Sequence, residues 1–427
     1  MDIITASDKL KQLFSESWLN KVARQQGFIQ RLRDILPLRL VASLVASMGD
    51  GKTDAIAEIH RCFNGMHSLP TDGVAYKPFH NRLRQAGFPK LLKTVTERAM
   101  LLFREEIERD IPEKFRQFKQ ILLHDGSSFA LHRDLADQFP GRFNKHSPAA
   151  VECHMTMSLL DDQPVKLSIS ADTASERQFL PIAEQLNGCL LLADAGYISS
   201  DYMSSVERHG GFFLMRISNT LNPTITYAQS HTGRELPKLV GMRFKALRRR
   251  HSRARGLDCD VVWKGYQCRL VSFWHPEEKR YLSWLTNLSR EEFSSEQVMK
   301  LYRARWQVEL VFKELKSYNN LHKFVTRQPH IVEGLIWASL LGLLVKRFIG
   351  RVAQRQVGKC LSNLKIAKSS RGWLDPIMKS LATAYDSQLA VDLSWAIDFI
   401  AVNCQQAPQS KRNKVNSLDG VFNAMLA

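Results

Sequence analysis

The stretch Leu301–Lys316, LYRARWQVELVFKELK, has the residue spacing of an amphipathic helix. Because each residue advances about 100° around a helix axis, four polar side chains fall on one stripe within roughly 60°. They are Tyr302, Arg305, Glu309 and Lys316. An apolar arc beside them predicts packing on a core and consists of Leu301, Val308, Val311, Phe312 and Leu315. The stripe has two interpretations: a solvated flank with an ordinary Arg305–Glu309 pair at i,i+4, or one wall of an active site.

The charge balance limits the choice of partner. The chain has 427 residues, which favours about two to four domains. Its formal net charge of +18 predicts an anionic partner, with nucleic acid first and an acidic membrane surface second. The most apolar stretch, Gly334–Val345, is too short to cross a bilayer and is better interpreted as a buried helix. We therefore expect DNA, and no membrane, as the partner.

Cysteine usage and the first residues indicate the compartment. The N-terminal residues MDIITASDKLKQLF are polar and lack the pattern of a secretory signal. The seven cysteines are odd in number and include no C-x-x-C pair, which argues against a disulfide framework and against structural zinc. The sequence thus predicts a cytoplasmic protein with reduced thiols.

The residue pattern predicts an α/β protein with helical regions at both ends. Residues 1–113 have helical spacing and form a predicted N-terminal DNA-binding domain. Short β-forming runs then predict strands at Phe118–His124, Val151–Leu160, Val165–Ala171, Cys189–Ala193 and Phe212–Arg216. Helices are predicted at Ala174–Leu186 and Ser200–His209. Three antiparallel strands followed by strand–helix alternation are typical of a mixed sheet covered by helices.

A β-rich, basic insertion is predicted at residues 219–288. Its clearest strands are Cys259–Trp263, Gln267–Trp274 and Tyr281–Leu285. The insertion divides the sheet core into residues 114–218 and 289–350, and residues 351–427 form a predicted helical C-terminal region. The basic run 245–255 includes Arg248, Arg249 and Arg250. This run either follows a DNA backbone or is a solvated loop.

Two N-terminal motifs point towards phosphate or DNA. Residues 49–53, GDGKT, resemble the end of a phosphate-binding loop, but Ala46 replaces its first glycine and the preceding residues have helical spacing, so no nucleotide site is expected. Predicted helices at Asp54–Phe63 and Pro78–Ala86 suggest a helix-turn-helix-like arrangement. Its basic residues are Lys77, Arg82 and Arg84. The alternative is a solvated basic helix in a packing domain.

Two aspartates follow predicted buried strands, each directly before a glycine turn. Asp125 ends the run in Ile121–Gly126 (ILLHDG), and Asp194 does so in Leu190–Tyr197 (LLLADAGY). Carboxylates at these strand ends project from the sheet edge, where α/β folds commonly bind ligands. If the two strands are neighbours, a helix across the sheet could bring Glu309 to the same point.

Three carboxylates at one point repel each other unless cations neutralise them. Oxygen ligands without cysteine or histidine suit Mg²⁺ or Mn²⁺ better than zinc. Two such ions about 4 Å apart would activate a water or hydroxyl and stabilise the leaving oxygen of a phosphodiester. Together with the positive charge, this predicts DNA as the substrate.

The helix stripe reproduces the pattern Y-x2-R-x3-E-x6-K, and the acids occur in the order Asp, Asp, β-rich insertion, Glu. Asp125 stands in Asp-Gly-Ser and Asp194 in Asp-x-Gly-Tyr. Over about residues 115–350 the chain therefore resembles the DDE-class transposases of bacterial insertion sequences.

The resemblance implies a ribonuclease H-like core, binding of terminal inverted repeats, and a paired-end complex of two protomers. It implies divalent-metal-dependent cleavage of double-stranded DNA, followed by strand transfer of the freed 3′-hydroxyl into target DNA. The implied ligands of Mg²⁺, or of Mn²⁺ as a substitute, are Asp125, Asp194 and Glu309. The implied contacts to phosphates beside the cleaved bond are Tyr302, Arg305 and Lys316. In a bacterium the protein would be cytoplasmic and associated with the nucleoid when bound to DNA.

One departure concerns the route of excision. Family members that excise through a DNA hairpin carry a tryptophan in the last insertion strand that stacks on a flipped base. Leu282 stands at the matching position here, flanked by Tyr281 and Trp284. Either aromatic side chain could stack on a base or could pack in the core.

Two other functions are open on the sequence. A ribonuclease H-like nuclease would cleave DNA without joining it, and a transposase-derived repressor would bind DNA with a silent catalytic core. The three intact carboxylates argue against the repressor, and the phosphate-binding helix together with the large insertion argues against a minimal nuclease.

Overall fold

The computed structural model describes residues 2–49, 55–104, 113–143, 145–250, 256–321, 324–358, 360–383 and 385–406, without the side chains of residues 70 and 248–250. Six helices precede the first strand: α1 (Ile3–Leu13), α2 (Glu16–Gln25), α3 (Pro37–Gly49), α4 (Ile56–Gly65), α5 (Tyr76–Leu83) and α6 (Gly87–Leu102). This confirms helical structure before the sheet. Because α3 ends at Gly49, a helix and not a strand leads into the GDGKT motif, whose residues 50–53 lie outside the described part.

The described residues form ten strands in one sheet. They are β1 (Gln120–Ala130), β2 (Pro140–Phe143), β3 (Ser147–Ser158), β4 (Gln163–Ala171), β5 (Cys189–Ala193), β6 (Phe212–Arg216), β7 (Thr224–Ser230), β8 (Gly256–Trp263), β9 (Tyr266–His275) and β10 (Arg280–Thr286). Eight helices lie between or after them: α7 (Ser200–Arg208), α8 (Phe244–Arg250), α9 (Ser295–Tyr302), α10 (Trp306–Tyr318), α11 (Pro329–Val357), α12 (Asn363–Ser369), α13 (Arg371–Thr383) and α14 (Asp386–Asn403).

The strand order gives a ribonuclease H-like core. The central strand β1 pairs antiparallel with β3, which pairs antiparallel with β4. On its other side β1 pairs parallel with β5, and β5 pairs parallel with β6. All five residues of β5 are buried, as expected for a parallel strand covered on both faces. The predicted fold class, a mixed α/β sheet with helices at both ends of the chain, is confirmed.

The strands of residues 219–288 extend this same sheet. β10 pairs antiparallel with β6, and β9, β8 and β7 follow outward in order. The basic segment after β7 forms the short helix α8, although the sequence suggested only strand and loop there. The division of the chain into domains stays a prediction.

A helical layer covers the face of the sheet that contains Asp125. The long helix α11 begins with Pro329 in its first turn and ends before Gly358, which adopts a left-handed conformation with φ 63°. It packs against α3, α6 and α14, so helices from both ends of the chain share one core. The predicted buried helix at Gly334–Val345 is confirmed, because that stretch lies within the buried part of α11. No helix in the described ranges is long and apolar enough to cross a membrane.

Three local expectations are wrong. The helix predicted at Ala174–Leu186 is instead two 3₁₀ turns, Glu176–Phe179 and Ala183–Leu186, because the intervening Pro181 lacks an N–H and holds Leu180 extended. β1 does not end at Asp125 but continues to Ala130, so Gly126 lies within a strand and not in a turn. A side chain at position 126 would collide with the carboxylate of Glu152 on β3, which explains the glycine.

The third correction concerns the opening stretch, which is not one continuous helix. Helix α9 starts with a capping box between Ser294 and Gln297, and it ends at Tyr302. A 3₁₀ turn, Arg303–Arg305, follows before α10 begins at Trp306. The ψ angles of −25° at Tyr302 and −28° at Arg305 are those of the tighter 3₁₀ helix. The tight turn occurs where the chain reaches the edge of the sheet.

Candidate active site

The parallel strands place two aspartates side by side. In the β1–β5 register His124 is paired with Ala193, so Asp125 and Asp194 are the next residues on neighbouring strands. β5 ends at Ala193, and a 3₁₀ turn, Ala195–Tyr197, follows Asp194. From Asp125 onward β1 pairs with β3 alone, so Asp125 lies where β1 leaves β5. The convergence expected from the sequence is confirmed for these two residues.

The segment Tyr302–Glu309 crosses this edge and contacts both aspartates. The Tyr302 hydroxyl donates to Asp194 Oδ1 at 3.2 Å and lies 3.4 Å from the Ala193 carbonyl oxygen. Arg305 Nη1 donates to Asp125 Oδ2 at 2.8 Å, and its Nη2 donates to Glu309 Oε1. Arg305 and Glu309 therefore form the ordinary i,i+4 pair, but Arg305 is only 8% exposed and also bonds across 180 residues of sequence. The solvated-flank interpretation of the stripe is wrong.

The negative charge of Asp125 is only partly compensated by its neighbours. Burial raises the pKa of Asp125 to about 6, although Arg305 and the N–H of Gly126 oppose the rise, while Glu309 and Asp194 add to it. Burial also raises the pKa of Tyr302, so its hydroxyl keeps the proton that it donates to Asp194. Burial alone would lower the pKa of Arg305, but Tyr302 and the neighbouring carboxylates raise it. Arg305 thus stays a cation.

Two donors of the site have capacity to spare. Arg305 Nε is buried and has no hydrogen-bond partner in the described part of the structure. Lys316, two turns after Glu309 on α10, donates from Nζ to the Ser128 carbonyl oxygen at 3.0 Å, and burial lowers its pKa. An ammonium has three donors, so this bond does not saturate Lys316. Both side chains can therefore donate a further hydrogen bond to an anionic oxygen.

The donor chemistry of the site fits a hard divalent cation. Asp125, Asp194 and Glu309 offer only carboxylate oxygens, the ligands that Mg²⁺ and Mn²⁺ prefer. The geometry differs from the expectation, because the guanidinium of Arg305 lies between Asp125 and Glu309. Within the described ranges no three His, Cys, Asp or Glu side chains converge closely enough to hold a metal ion. A shared metal at these residues requires Arg305 to release at least one carboxylate.

The other predicted DNA-binding residues lie outside this edge. Lys77 is exposed on α5, whereas Arg82 is partly buried and donates to the Phe28 carbonyl oxygen at 3.1 Å. Arg84 donates to Gln328 at 3.0 Å. The connection between α4 and α5 contains a 3₁₀ turn at residues 70–72 and is longer than the few-residue turn of a helix-turn-helix.

The basic run of the insertion is only partly described. Arg248, Arg249 and Arg250 end helix α8, but their side chains lie outside the described part, as do residues 251–255. Their role in DNA binding stays a prediction.

The two aromatic residues considered for base stacking are buried. Tyr281 is 5% exposed and Trp284 is 3% exposed. The Trp284 ring packs 5.7 Å from that of Tyr302, and the Tyr281 ring packs 5.2 Å from that of Trp274. In this conformation both belong to the core, and Leu282 between them is partly buried.

Sequence reasoning missed Arg216 as a site residue. Ala193 is paired with Met215, so Arg216, the last residue of β6, lies in the same row as Asp125 and Asp194. Its charge influences the pKa of Tyr302. The signal was present, because the predicted strand Phe212–Arg216 ended on this arginine beside two strands that ended on aspartates.

A ribonuclease H-like sheet with acids at matching positions of two adjacent parallel strands defines a class of enzymes that act on nucleic-acid phosphodiesters. Within that class, the family model described as Transposase DDE domain matches residues 116–345, more than half of the chain, and the chain belongs to this family. It is a DDE-class DNA transposase of the insertion-sequence type.

Individual relatives agree with that assignment. The chain is 21% identical over 385 residues to the transposase for insertion sequence element IS1151 of Clostridium perfringens, covering 80% of each chain. A shorter match, 46% identical over 57 residues, covers 13% of this chain and 15% of the transposase for insertion sequence element IS421 of Escherichia coli. A solved structure of piggyBac transposase in a synaptic complex with hairpin DNA aligns with 98% of this chain and 88% of that chain, at 11% identity and a TM-score of 0.47.

Proposed function

We propose that this transposase binds the terminal inverted repeats of its element and moves the element by cut-and-paste transposition. The reaction comprises cleavage at the element ends and transfer of the freed 3′-hydroxyls into target DNA, by two protomers in a paired-end complex in the bacterial cytoplasm. The observation that carries the proposal is the row Asp125 and Asp194 on adjacent strands, linked through Arg305 to Glu309.

Asp125, Asp194 and Glu309 are the proposed ligands of Mg²⁺, for which Mn²⁺ can substitute. When bound, the metal supplies Lewis-acid stabilisation of the phosphodiester oxygens and lowers the pKa of an attacking water or hydroxyl. The raised pKa of Asp125 supports this role, because a buried carboxylate beside two others gains most from an added cation. In the structure Arg305 provides part of that neutralisation.

The neighbouring donors hold the DNA. Arg305 has a free Nε and can exchange a carboxylate for a phosphate oxygen while its planar fork keeps the direction of its donors. Lys316 and Arg216 lie on either side of it along the sheet edge and supply point contacts to neighbouring phosphates. Tyr302 fixes Asp194 through its hydroxyl and so orients a proposed ligand. Metal binding and DNA positioning are thus proposed for different residues.

The test replaces Asp194, whose contacts are simple. In Asp194→Asn and Asp194→Ala, cleavage of a plasmid that carries both element ends should fall below detection with Mg²⁺ or Mn²⁺, because a ligand is lost. Gel-shift affinity for end DNA should persist, and Mn²⁺ binding followed by calorimetry should weaken. Asp201→Asn removes an exposed acid of the same fold on α7 and is the matched control, expected to leave all three unchanged.

Cleavage by the Asp194 variants at the wild-type rate would contradict the assignment. Products distinguish the alternatives: cleavage without joining indicates a nuclease, and end binding without cleavage by the wild-type protein indicates a repressor.

A further inference from the structure

A cleft lies beside Asp194, at the residues that follow it in the chain. Its volume is about 440 Å³. Its lining includes Arg177, Ala195, Ile198, Arg243, Trp263 and Lys264, together with residues of the segment 218–222. Ala195 and Ile198 belong to the segment directly after Asp194, and Ser218–Asn222 follow Arg216. Trp263 ends β8, and Lys264 lies in the turn between β8 and β9. The cleft therefore connects the catalytic edge with the insertion.

The lining carries three cations and no carboxylate. Arg177, Arg243 and Lys264 are all exposed, and none forms an ion pair in the described part of the structure. Arg177 donates from Nε to the Gly196 carbonyl oxygen at 3.3 Å, and Arg243 donates from Nη1 to the Asn222 carbonyl oxygen at 3.1 Å. These bonds leave each guanidinium with further donors, since the group has five. Uncompensated cations around a concave surface attract an anion.

The other lining residues suit a sugar-phosphate backbone. Ser218 and Thr220 bond to each other through their hydroxyls at 2.7 Å and keep acceptor and donor capacity at the wall. Lys264 Nζ lies 5.4 Å from the centroid of the Trp263 ring, so one wall is aromatic and the charge stands beside it. Aromatic faces beside cations are the usual surface for a nucleic-acid strand.

The position of the cleft determines which strand it can receive. Lys316 and Arg305 bond to residues of β1, on one side of β5, whereas the cleft residues that follow β6 and those of the insertion lie on the other side of β5 in the strand order. A DNA strand whose phosphate reacts at the Asp125–Asp194 row continues on both sides of it. Helix α8 starts beside the cleft, because Lys245 N donates to Asn222 Oδ1 at 2.8 Å, so the basic surface extends into the insertion.

We propose that this cleft binds the backbone of the strand that continues past the reacting phosphate, which is flanking DNA during cleavage and target DNA during joining. In cleavage, water bonds to phosphorus while the bond to the 3′-oxygen of the element breaks, so the phosphate stays on the flanking strand. In joining, that 3′-oxygen bonds to a target phosphorus while the bond from this phosphorus to the target's own 3′-oxygen breaks and leaves a target 3′-hydroxyl, and the target strand that keeps the phosphate takes the same place. The inference rests on the proposed function and adds a second DNA site to it.

The test is the double variant Arg243→Gln/Lys264→Gln, whose charge loss is matched by Arg234→Gln/Lys238→Gln in exposed residues of the same segment that do not line the cleft. Two end duplexes are compared by gel shift, one cut flush at the element terminus and one extended by a helical turn of flanking DNA. The cleft variant should bind the flush duplex like wild type and lose roughly tenfold in affinity for the extended duplex, with a log–log salt slope smaller by about 2. Joining of flush ends to a plasmid target should fall by a similar factor.

Each outcome either supports the proposed DNA site in the cleft or overturns it. Loss on the extended duplex or in target joining, with the control pair unaffected, supports the cleft as the second DNA site and shows which strand dominates. Unchanged binding and joining, or an equal loss on the flush duplex, overturns it. Lys264→Gln alone, in an exposed turn, repeats the test without disturbing the Arg243 bond to Asn222. If wild-type protein binds neither duplex, the proposed function itself fails, which is a distinct result.

Discussion

Two buried arginine–aspartate pairs lie in the same sheet and differ in how completely they are satisfied. Arg269 on β9 bonds to both carboxylate oxygens of Asp258 on β8, at 2.9 and 2.7 Å. Its remaining donor group bonds to the carbonyl oxygens of Leu288, Ser289 and Phe293. Arg305 bonds to Asp125 through one nitrogen only, and its Nε has no partner among the described residues. We call the Arg269–Asp258 pair closed, because every donor group of Arg269 is used. We call the Arg305–Asp125 pair open, because Arg305 Nε has no partner among the described residues.

The pKa values of Asp258 and Asp125 differ in the same way. Burial would raise the pKa of Asp258, but Arg269, Arg290 and Ser295 reverse the effect and hold this pKa below its ordinary value. Burial raises the pKa of Asp125 to about 6 despite Arg305. A paired carboxylate that serves stability is fully compensated, whereas one that serves chemistry is left with a deficit that a substrate or a metal can fill. Arginine burial alone does not separate the two cases, since Arg269 is 5% and Arg305 8% exposed.

The largest expected difference is in stability. Arg269→Ala leaves Asp258 buried without its bidentate partner, which should cost about 3–5 kcal/mol of unfolding free energy. Arg305→Ala should cost less, about 1–2 kcal/mol, because Glu309 is partly exposed and Asp125 can take up a proton. Urea unfolding of both variants measures the contrast.

Arg269→Met, which keeps the bulk of the chain but no donors, controls for lost packing. Equal losses of stability in Arg269→Ala and Arg305→Ala would remove the distinction between a closed and an open pair.

The next effect is on catalysis. Arg305→Ala should lower the cleavage rate by about two orders of magnitude, the scale for loss of a group that orients the substrate. Arg305→Lys should recover only part of it, because an ammonium lacks the planar fork. Mn²⁺ affinity should stay equal or increase, since Arg305 competes for Asp125 and Glu309. Cleavage kinetics and calorimetry on one protein preparation give both quantities, and near-normal cleavage would return Arg305 to an ordinary helix pair.

The pH dependence of stability should have opposite signs at the two aspartates. The folded pKa of Asp125, about 6, lies above its ordinary value of 3.8, so folding binds a proton and its contribution to stability falls as pH rises through about 4–6. The pKa of Asp258 is lowered, so its contribution is present above its ordinary pKa and is lost as pH falls below it. In EDTA, Asp125→Asn should therefore melt above wild type at neutral pH and lose that advantage as the pH falls from about 6 to about 4.

Asp258→Asn should melt below wild type at neutral pH, with a deficit that shrinks only in stronger acid. Thermal melts across a pH series show both trends, and a parallel pH course for the two variants would mean that the pairs do not differ in kind.

The placement of the candidate site residues was largely predictable, because its signals are local. Asp194 closes a run of buried β-formers, and Tyr302, Arg305 and Glu309 share a stripe that survives the 3₁₀ break. What failed depended on distant partners. β1 continues past Asp125 because β3 supplies a ladder beyond that point, and nothing within residues 121–126 encodes it.

The closed pair and the role of Arg305 could not be read from the sequence. Asp258 and Arg269 meet only through the β8–β9 register, and the sequence analysis predicted strands there without their pairing. The contact from Arg305 to Asp125 spans 180 residues and depends on where α10 crosses the sheet. Charge spacing along the chain predicts which residues can share a face, but the partner across the fold sets their chemistry.

The smallest expected effects come from the outer cation of each pair. Arg290 bonds to Asp258 at 3.0 Å and to Asp260 at 2.6 Å and is partly exposed, so Arg290→Gln should cost about 1 kcal/mol of stability and leave cleavage unchanged. Lys316→Gln should leave the melting temperature near wild type and lower cleavage roughly tenfold, because a single phosphate contact is worth about 1–2 kcal/mol. Arg290 compensates carboxylates that are already present in the fold, whereas Lys316 is expected to contact an oxygen that DNA brings to the site. Melting temperature and cleavage are measured for both variants. Two different kinds of pair require that Arg290→Gln loses stability but not cleavage and that Lys316→Gln loses cleavage but not stability. A Lys316→Gln protein that loses stability but not cleavage would place Lys316, through its bond to Ser128, with the structural cations.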